Sequence, residues 1–118
     1  MRTKANKFLA ILKMELEEIQ EDLKSLLEIY RCYEQKHEIT NYVLQENSSL
    51  IQAEIAAIGS LFKFLDTFSP EGYESLEVLA EEMLVKFKEL IKKKEYPQAL
   101  YYLLERRVQK VVKYLAMA

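Results

Sequence analysis

The sequence has very little of the residues that punctuate turns. It contains two glycines and two prolines in 118 residues, well below the roughly 7% and 5% that are typical of proteins. Strands joined by tight turns depend on both residue types. Helix formers dominate instead, chiefly Leu, Glu, Lys and Ala. The sequence therefore predicts a chain that is almost entirely α-helical.

Long apolar runs and paired cysteines are lacking too. The longest apolar stretches, residues 8–12 and 55–62, are shorter than the ~20 residues that a membrane span needs. A single cysteine cannot form an internal disulfide, which fits a reducing compartment. The start is basic, then briefly apolar, and turns acidic at Glu15, which does not resemble a signal peptide. We expect a cytoplasmic protein that does not enter a membrane.

The only histidine lies in a motif that suggests metal binding. His37 follows Glu34 in a Glu-x-x-His pattern, which di-iron four-helix proteins use in pairs. One histidine cannot supply the second motif. Cys32 is five positions before His37, so the two do not share a helical face. We therefore expect no metal, cofactor-binding or catalytic residue here.

The first helix carries a second hint of metal chemistry. Glu15 and Glu18, like Glu18 and Glu21, are three residues apart, a spacing found in magnesium-dependent helical enzymes. Such enzymes need a second acidic pair, but the next helix offers only Glu46 and Glu54, eight residues apart. A solvated acidic face is the expected role. A metal-dependent helical enzyme that uses acidic helix 1 is the alternative.

Apolar periodicity predicts four helices. Their expected bounds are about 3–36, 40–68, 70–94 and 97–117. Ser69 is the expected N-cap of the third helix with Pro70 at its first position, and Pro97 starts the fourth. The fold class is all-α, a single domain over 1–118 built as an antiparallel four-helix bundle-like structure with a long, coiled-coil-like first hairpin.

The first helix has a narrow heptad-like seam that predicts packing against one or two neighbours. Its members are Leu9, Leu12, Leu16, Ile19, Leu23, Leu26, Tyr30 and Tyr33. The second helix is apolar on most sides from Ile55 onward, which is typical of a central helix. Gly59 costs about 1 kcal/mol of helix propensity, so we expect it to admit a closely packed neighbour.

The connection between the first two helices has two interpretations. Residues 34–41 contain no glycine or proline, so one continuous helix of roughly 62 residues, ~93 Å long, is one of them. A hairpin turning near 36–41 is the other. We favour the hairpin, because an apolar second helix needs the chain to fold back. Helices of ~45 Å in the first pair and ~33 Å in the second would leave the first tip projecting by a turn or two.

Charge is distributed unevenly along the chain. Residues 1–14 carry +4, 15–54 carry −7, 55–85 carry −5 and 86–118 carry +6. The simplest interpretation is a basic last helix that packs on acidic neighbours. Binding of nucleic acid or an acidic partner through helix 4 is the alternative. The pI near 5.6 disfavours nucleic acid, whose binding domains commonly exceed about 9.

These exclusions favour a non-enzymatic protein–protein interaction module, such as an adaptor, an assembly factor or a secretion-type chaperone. The partner is another protein or a second copy in a homodimer. Tyrosine is enriched at interfaces because it joins apolar area to a polar group. The candidate binding residues are Tyr30, Tyr33 and Tyr42 at the hairpin tip, and Tyr101, Tyr102, Arg106 and Arg107 on helix 4.

Overall fold

A computed structural model describes the backbone of residues 2–117 and the side chains of residues 4–117. It contains the helices α1 (Arg2–Gln35), α2 (Asn41–Thr67), α3 (Leu76–Lys93) and α4 (Gln98–Met117). Within this described part there is no strand. The helices pack as two consecutive antiparallel hairpins, α1–α2 and α3–α4, that lie against each other. The predicted all-α, four-helix fold is confirmed.

The first turn uses histidine where helices usually use glycine. His37 has φ 60°, in the left-handed region that commonly closes a helix. Its N–H donates to the Glu34 carbonyl at 3.0 Å, and the Glu38 N–H donates to the Tyr33 carbonyl at 2.8 Å. The Thr40 side chain then caps α2. The chain therefore turns back after α1, so the hairpin interpretation is correct and the continuous helix is wrong.

The second turn repeats the same geometry. Glu95 has φ 56°, and the Tyr96 N–H donates to the Ile91 carbonyl at 3.0 Å. The Tyr96 hydroxyl also shares a 2.9 Å hydrogen bond with the Ser60 hydroxyl on α2. This bond places the α3–α4 turn beside Ser60, so the second hairpin ends at that point along α2.

Helix α3 begins later than predicted. It starts at Leu76, and the Ser75 side chain accepts the backbone N–H three residues on at 3.2 Å. The expected cap at Ser69, with Pro70 starting the helix, is wrong. Gly72 has φ 88°, a conformation that no right-handed helix contains, so the chain turns once more before α3.

The central helix is α1 rather than α2. It packs against α2, α3 and α4, whereas α2 has only slight backbone proximity to α3 and α4. Its buried face is wider than the heptad seam, because Phe8 and Glu15, which lie beside the seam, are also buried. The predictions of a narrowly packed first helix and a central second helix are therefore wrong.

Gly59 does not admit a closely packed neighbour, contrary to prediction. A methyl group added there would meet only the Gln20 side chain, at 3.9 Å, which is an ordinary contact. Gln20 donates from Nε2 to the Ile55 carbonyl at 3.2 Å. Ala53 and Ala56 are exposed, so among the small residues of α2 only Ala57, which is fully buried, and Ser60, which bonds to Tyr96, meet a neighbouring element.

The first hairpin projects well beyond the second. The shared core includes α1 as far as Ile19, with Leu23 packed against it, and α2 from Ala57 onward. We call residues 24–54 the distal hairpin. Its two arms extend about 20 Å, close to four helical turns, which is longer than predicted. The radius of gyration, 16.7 Å, accordingly exceeds the ~13.5 Å of a compact chain of this length.

By length and composition, α2 is long and apolar enough to cross a membrane. About 28% of its most apolar stretch is buried within the protein. The core helix of a soluble protein passes the same test. The absence of a membrane span therefore stays a prediction.

Candidate interaction surfaces

A partly buried group of charged side chains joins α1 to α4. Glu15 is only 8% exposed, and its carboxylate accepts from Arg107 Nη1 at 2.6 Å and from Lys110 Nζ at 2.6 Å. Arg107 also lies 3.5 Å from Glu18. The hydrogen bond from Lys110, with a smaller one from Arg107, holds the pKa of Glu15 below its ordinary value, although burial opposes this. The prediction that the basic last helix packs on acidic neighbours is confirmed.

This contact engages two of the three helix 1 carboxylates that were candidate magnesium ligands, Glu15 and Glu18. A divalent cation at Glu15 would have to displace two protein cations, Arg107 and Lys110. Across the described residues, no group of three or more His, Cys, Asp or Glu side chains is placed to hold a metal ion. Arg107 and Lys110 neutralise the charge of the buried Glu15 carboxylate.

The two tyrosines predicted on helix 4 differ in their surroundings. Tyr101 is half-buried, and its ring lies 5.7 Å from Tyr102 in an edge contact and 5.7 Å from Lys88 Nζ. Burial and the nearby Glu105 carboxylate raise the pKa of Tyr101. Tyr102 is exposed. Only Tyr102 of this pair offers most of its surface to a partner.

The two arginines predicted to bind a partner on helix 4 also differ in their surroundings. Arg107 is engaged by Glu15 within the bundle. Arg106 is exposed and, in the part of the chain described, forms no ion pair. It borders an open groove of about 470 Å³ on α4. The groove is lined by Arg106, Gln109, Lys110, Lys113, Tyr114 and Met117.

The distal hairpin carries apolar side chains that are partly exposed. On α1, Leu26, Ile29 and Tyr33 are 39%, 46% and 43% exposed. At 100° per residue they fall within an arc of about 60°, the same arc that holds Phe8 and Glu15. Phe8 is fully buried and Glu15 is bound by α4. The α1 face that the second hairpin covers in the core therefore continues uncovered along the distal hairpin.

Helix α2 shows the same continuation. Leu50 is 58% exposed and falls in the arc of Ala57 and Leu61, both fully buried. Further along this side, Phe64 contacts Phe87 of α3 with ring centroids 5.7 Å apart. We define the distal face as the side of the distal hairpin that lies in line with α3 and α4. Its apolar members are Leu26, Ile29, Tyr33 and Leu50.

The tip tyrosines do not share one face. Tyr33 belongs to the distal face, whereas Tyr30 is half-buried beside α2. Tyr42 is 72% exposed and borders a groove of about 300 Å³ on the α2 side of the tip. The groove is lined by Tyr42, Gln45, Glu46, Ser49 and Leu50.

Sequence analysis missed Ile29 and Leu50 as surface residues and misassigned Leu26. The buried position is Leu27, which together with Ile51 lies outside the shared core cluster. Leu27 and Ile51 are buried within the distal part of the hairpin, whereas Leu26 is exposed. The adjacent apolar pairs of α1, residues 26–27 and 29–30, carry the signal, because neighbours on a helix cannot both face the same partner.

Cys32 lies in the last turn of α1, and His37 lies in the turn that follows it. Both are exposed, and His37 serves the chain through its backbone conformation. Comparison with protein-family models, curated proteins and solved structures gives no match for this chain. The arrangement of the described residues offers surfaces for binding, and the distal face is one that carries several exposed apolar side chains.

Proposed function

We propose that this protein is a non-enzymatic interaction module whose distal face binds a helical segment of another protein chain. The observation that carries the proposal is the uncovered face of Leu26, Ile29, Tyr33 and Leu50 on a hairpin that extends about 20 Å beyond the core. Contiguous exposed apolar side chains on a soluble protein mark interaction sites more often than they occur without function.

The form of this face favours a helical partner. Two antiparallel helices leave a shallow groove between them, and amphipathic helices bind in such grooves through apolar residues spaced three and four apart. A helix laid there would extend the four-helix packing of the core into a coiled-coil-like stretch. Adaptors, assembly factors and secretion-type chaperones all work through surfaces of this kind. We infer a cytoplasmic location for the same protein, since its only cysteine is unpaired.

Site-specific photo-crosslinking tests the proposal. A photoreactive residue is placed at Ile29 or Leu50 on the distal face, and at Gln52 as a matched control, which is exposed on α2 away from that face. In cells that produce the protein, we expect one predominant adduct from the distal face and none of the same size from Gln52. Adducts that do not depend on position would contradict the interaction module.

The groove on α4 supports a second candidate, an acidic partner. Arg106 and Lys113 border it, are exposed and form no ion pair within the described residues, so they are available to anions. Replacing both with glutamate should abolish any binding of an acidic peptide or oligonucleotide at low salt. Binding that survives this replacement would exclude the groove, and Lys63→Glu on α2 is the control.

A further inference from the structure

We propose that the distal face is occupied by the distal face of a second copy, in an antiparallel, two-fold symmetric dimer. This deepens the proposed function and rests on it, because it names the partner of the same surface. Three properties of the distal hairpin support it: its length, its charge and its area.

The length of the uncovered face suits a second copy. The face runs from the turn at residues 36–40 down to the turn at residues 94–97, where Tyr96 contacts Ser60. A hairpin laid antiparallel in this space has room for about 20 Å of helix, and the distal hairpin of another copy has this length. Each tip would then meet the α3–α4 turn of the other copy. The two-fold axis would pass near Ile29, midway along the face.

The charges at the two ends of the distal face favour antiparallel over parallel packing of the two copies. The tip carries more acidic than basic groups, with Glu34, Glu38 and Glu46 against Arg31 and Lys36, and Arg31 is already paired with Glu28. The α3–α4 turn carries an exposed lysine run, Lys92, Lys93 and Lys94, which forms no ion pair among the residues described. In antiparallel packing each lysine run meets an acidic tip. In parallel packing the two acidic tips would meet each other and repel.

The area predicts a reversible dimer. A face about 20 Å long and two helices, or about 20 Å, wide presents roughly 600 Å² of accessible surface once its relief is counted. The total for two copies is then about 1,200 Å², at the lower limit of stable specific interfaces. We therefore expect a dissociation constant of the order of micromolar rather than an obligate dimer.

Sedimentation equilibrium of the purified protein up to about 200 µM, well above the expected dissociation constant, tests this directly. We expect a monomer–dimer equilibrium that Ile29→Asp weakens about 30-fold or more, as for a central interface residue. Lys93→Glu should weaken it several-fold, and Glu38→Lys in the same chain should restore it. Lys63→Glu, on an exposed position of α2 outside the face, should have little effect. Circular dichroism confirms that each variant is folded.

Disulfide trapping tests the arrangement. In a Cys32→Ser background, a Glu38→Cys protein is mixed with a Lys93→Cys protein under mild oxidation. We expect a mixed disulfide to form much faster than either self-disulfide, because the tip of one copy lies on the turn of the other. A Lys63→Cys protein replaces the Lys93→Cys protein as the control and should react slowly.

The outcomes separate this inference from the proposed function. A protein that stays monomeric, or a mixed disulfide no faster than the Lys63→Cys control, overturns the dimer. If photo-crosslinks at Ile29 then still yield one adduct with a different protein, the interaction module stands without the dimer. If they yield none, both proposals fall.

Discussion

Removal of one carboxylate tests how the two hairpins are joined. In Glu15→Ala, Lys110 loses its partner but its side chain is 64% exposed, so water replaces the contact. Arg107 is different, because its side chain is only 21% exposed. In the variant its remaining acidic neighbour is Glu18, at 3.5 Å. The penalty therefore comes mainly from the partly buried guanidinium.

The expected magnitude follows from these surroundings. A hydrogen bond to a charged group contributes roughly 1.5–3 kcal/mol, and the exposed Lys110 contact adds little after screening by solvent. Part of this loss in stability is offset in the variant, because the Glu15 carboxylate no longer has to be desolvated. We expect a loss of about 2 kcal/mol in the free energy of unfolding at pH 7. At ~4 °C per kcal/mol, the melting temperature should fall by about 8 °C.

The pH dependence has a definite sign. The folded-state pKa of Glu15 lies below its ordinary value of 4.5, so its stabilisation is fully present above that value. It is lost as the pH falls through the folded-state pKa. The difference in stability between wild type and Glu15→Ala should therefore be largest at neutral pH and shrink in acid.

Urea unfolding followed by circular dichroism at pH 7 and at about pH 3 measures both quantities. Glu18→Ala is the control. Its carboxylate is 60% exposed and 3.5 Å from Arg107, so its removal should cost less than about 0.5 kcal/mol. An equal effect of the two variants, or a Glu15→Ala effect that does not change with pH, would refute the reasoning.

Four further substitutions test other parts of the fold by urea unfolding. Gly59→Ala should stabilise by about 1 kcal/mol, since a methyl group meets only Gln20 at 3.9 Å; destabilisation would show a close contact there. His37→Gly should stabilise by about 1 kcal/mol, since φ is 60° and glycine adopts this conformation without strain; a loss would show that the imidazole itself contributes. Leu61→Ala, fully buried, should cost about 3 kcal/mol, while Leu50→Ala, more than half exposed, should cost under about 0.5 kcal/mol. Equal costs would contradict the assigned burial.

The sequence was a good guide to the helices and a poor one to the turn that starts α3. Helical periodicity and Pro97 placed most boundaries within two residues of those in the structure. Ser69 and Ser75 are both suitable caps, and only the positive φ of Gly72 decides between them. A glycine does not reveal its φ in a sequence, so the later start of α3 could not be read there.

The first turn shows a different limit. Propensity disfavours His37 in the left-handed region, yet the backbone bonds to the Glu34 and Tyr33 carbonyls hold it there. Tertiary packing, chiefly of α2 on α1, compensates for the local strain. Local residue preference therefore left the hairpin and the continuous helix open, and the need to bury α2 favoured the hairpin.

The exposure of the candidate residues, though not their role, can be compared with the sequence. The exposure of Tyr33 and Tyr42 at the tip follows from polar surroundings that a sequence displays. The engagement of Arg107 by Glu15 joins residues 92 positions apart, which no local pattern reveals. The same long-range contact joins the acidic side of α1 to basic α4.

The separation of the distal hairpin from the core has a consequence for how this chain can change over generations. Leu27 and Ile51 lie outside the core cluster, so the arms are held together independently of α3 and α4. Seven residues make two helical turns with a drift of only about 20°. Matched gains or losses of seven residues in both arms would alter the reach by ~10 Å while each face keeps its direction. The length of the distal hairpin beyond the core can thus change by deletion or duplication while the core itself stays the same.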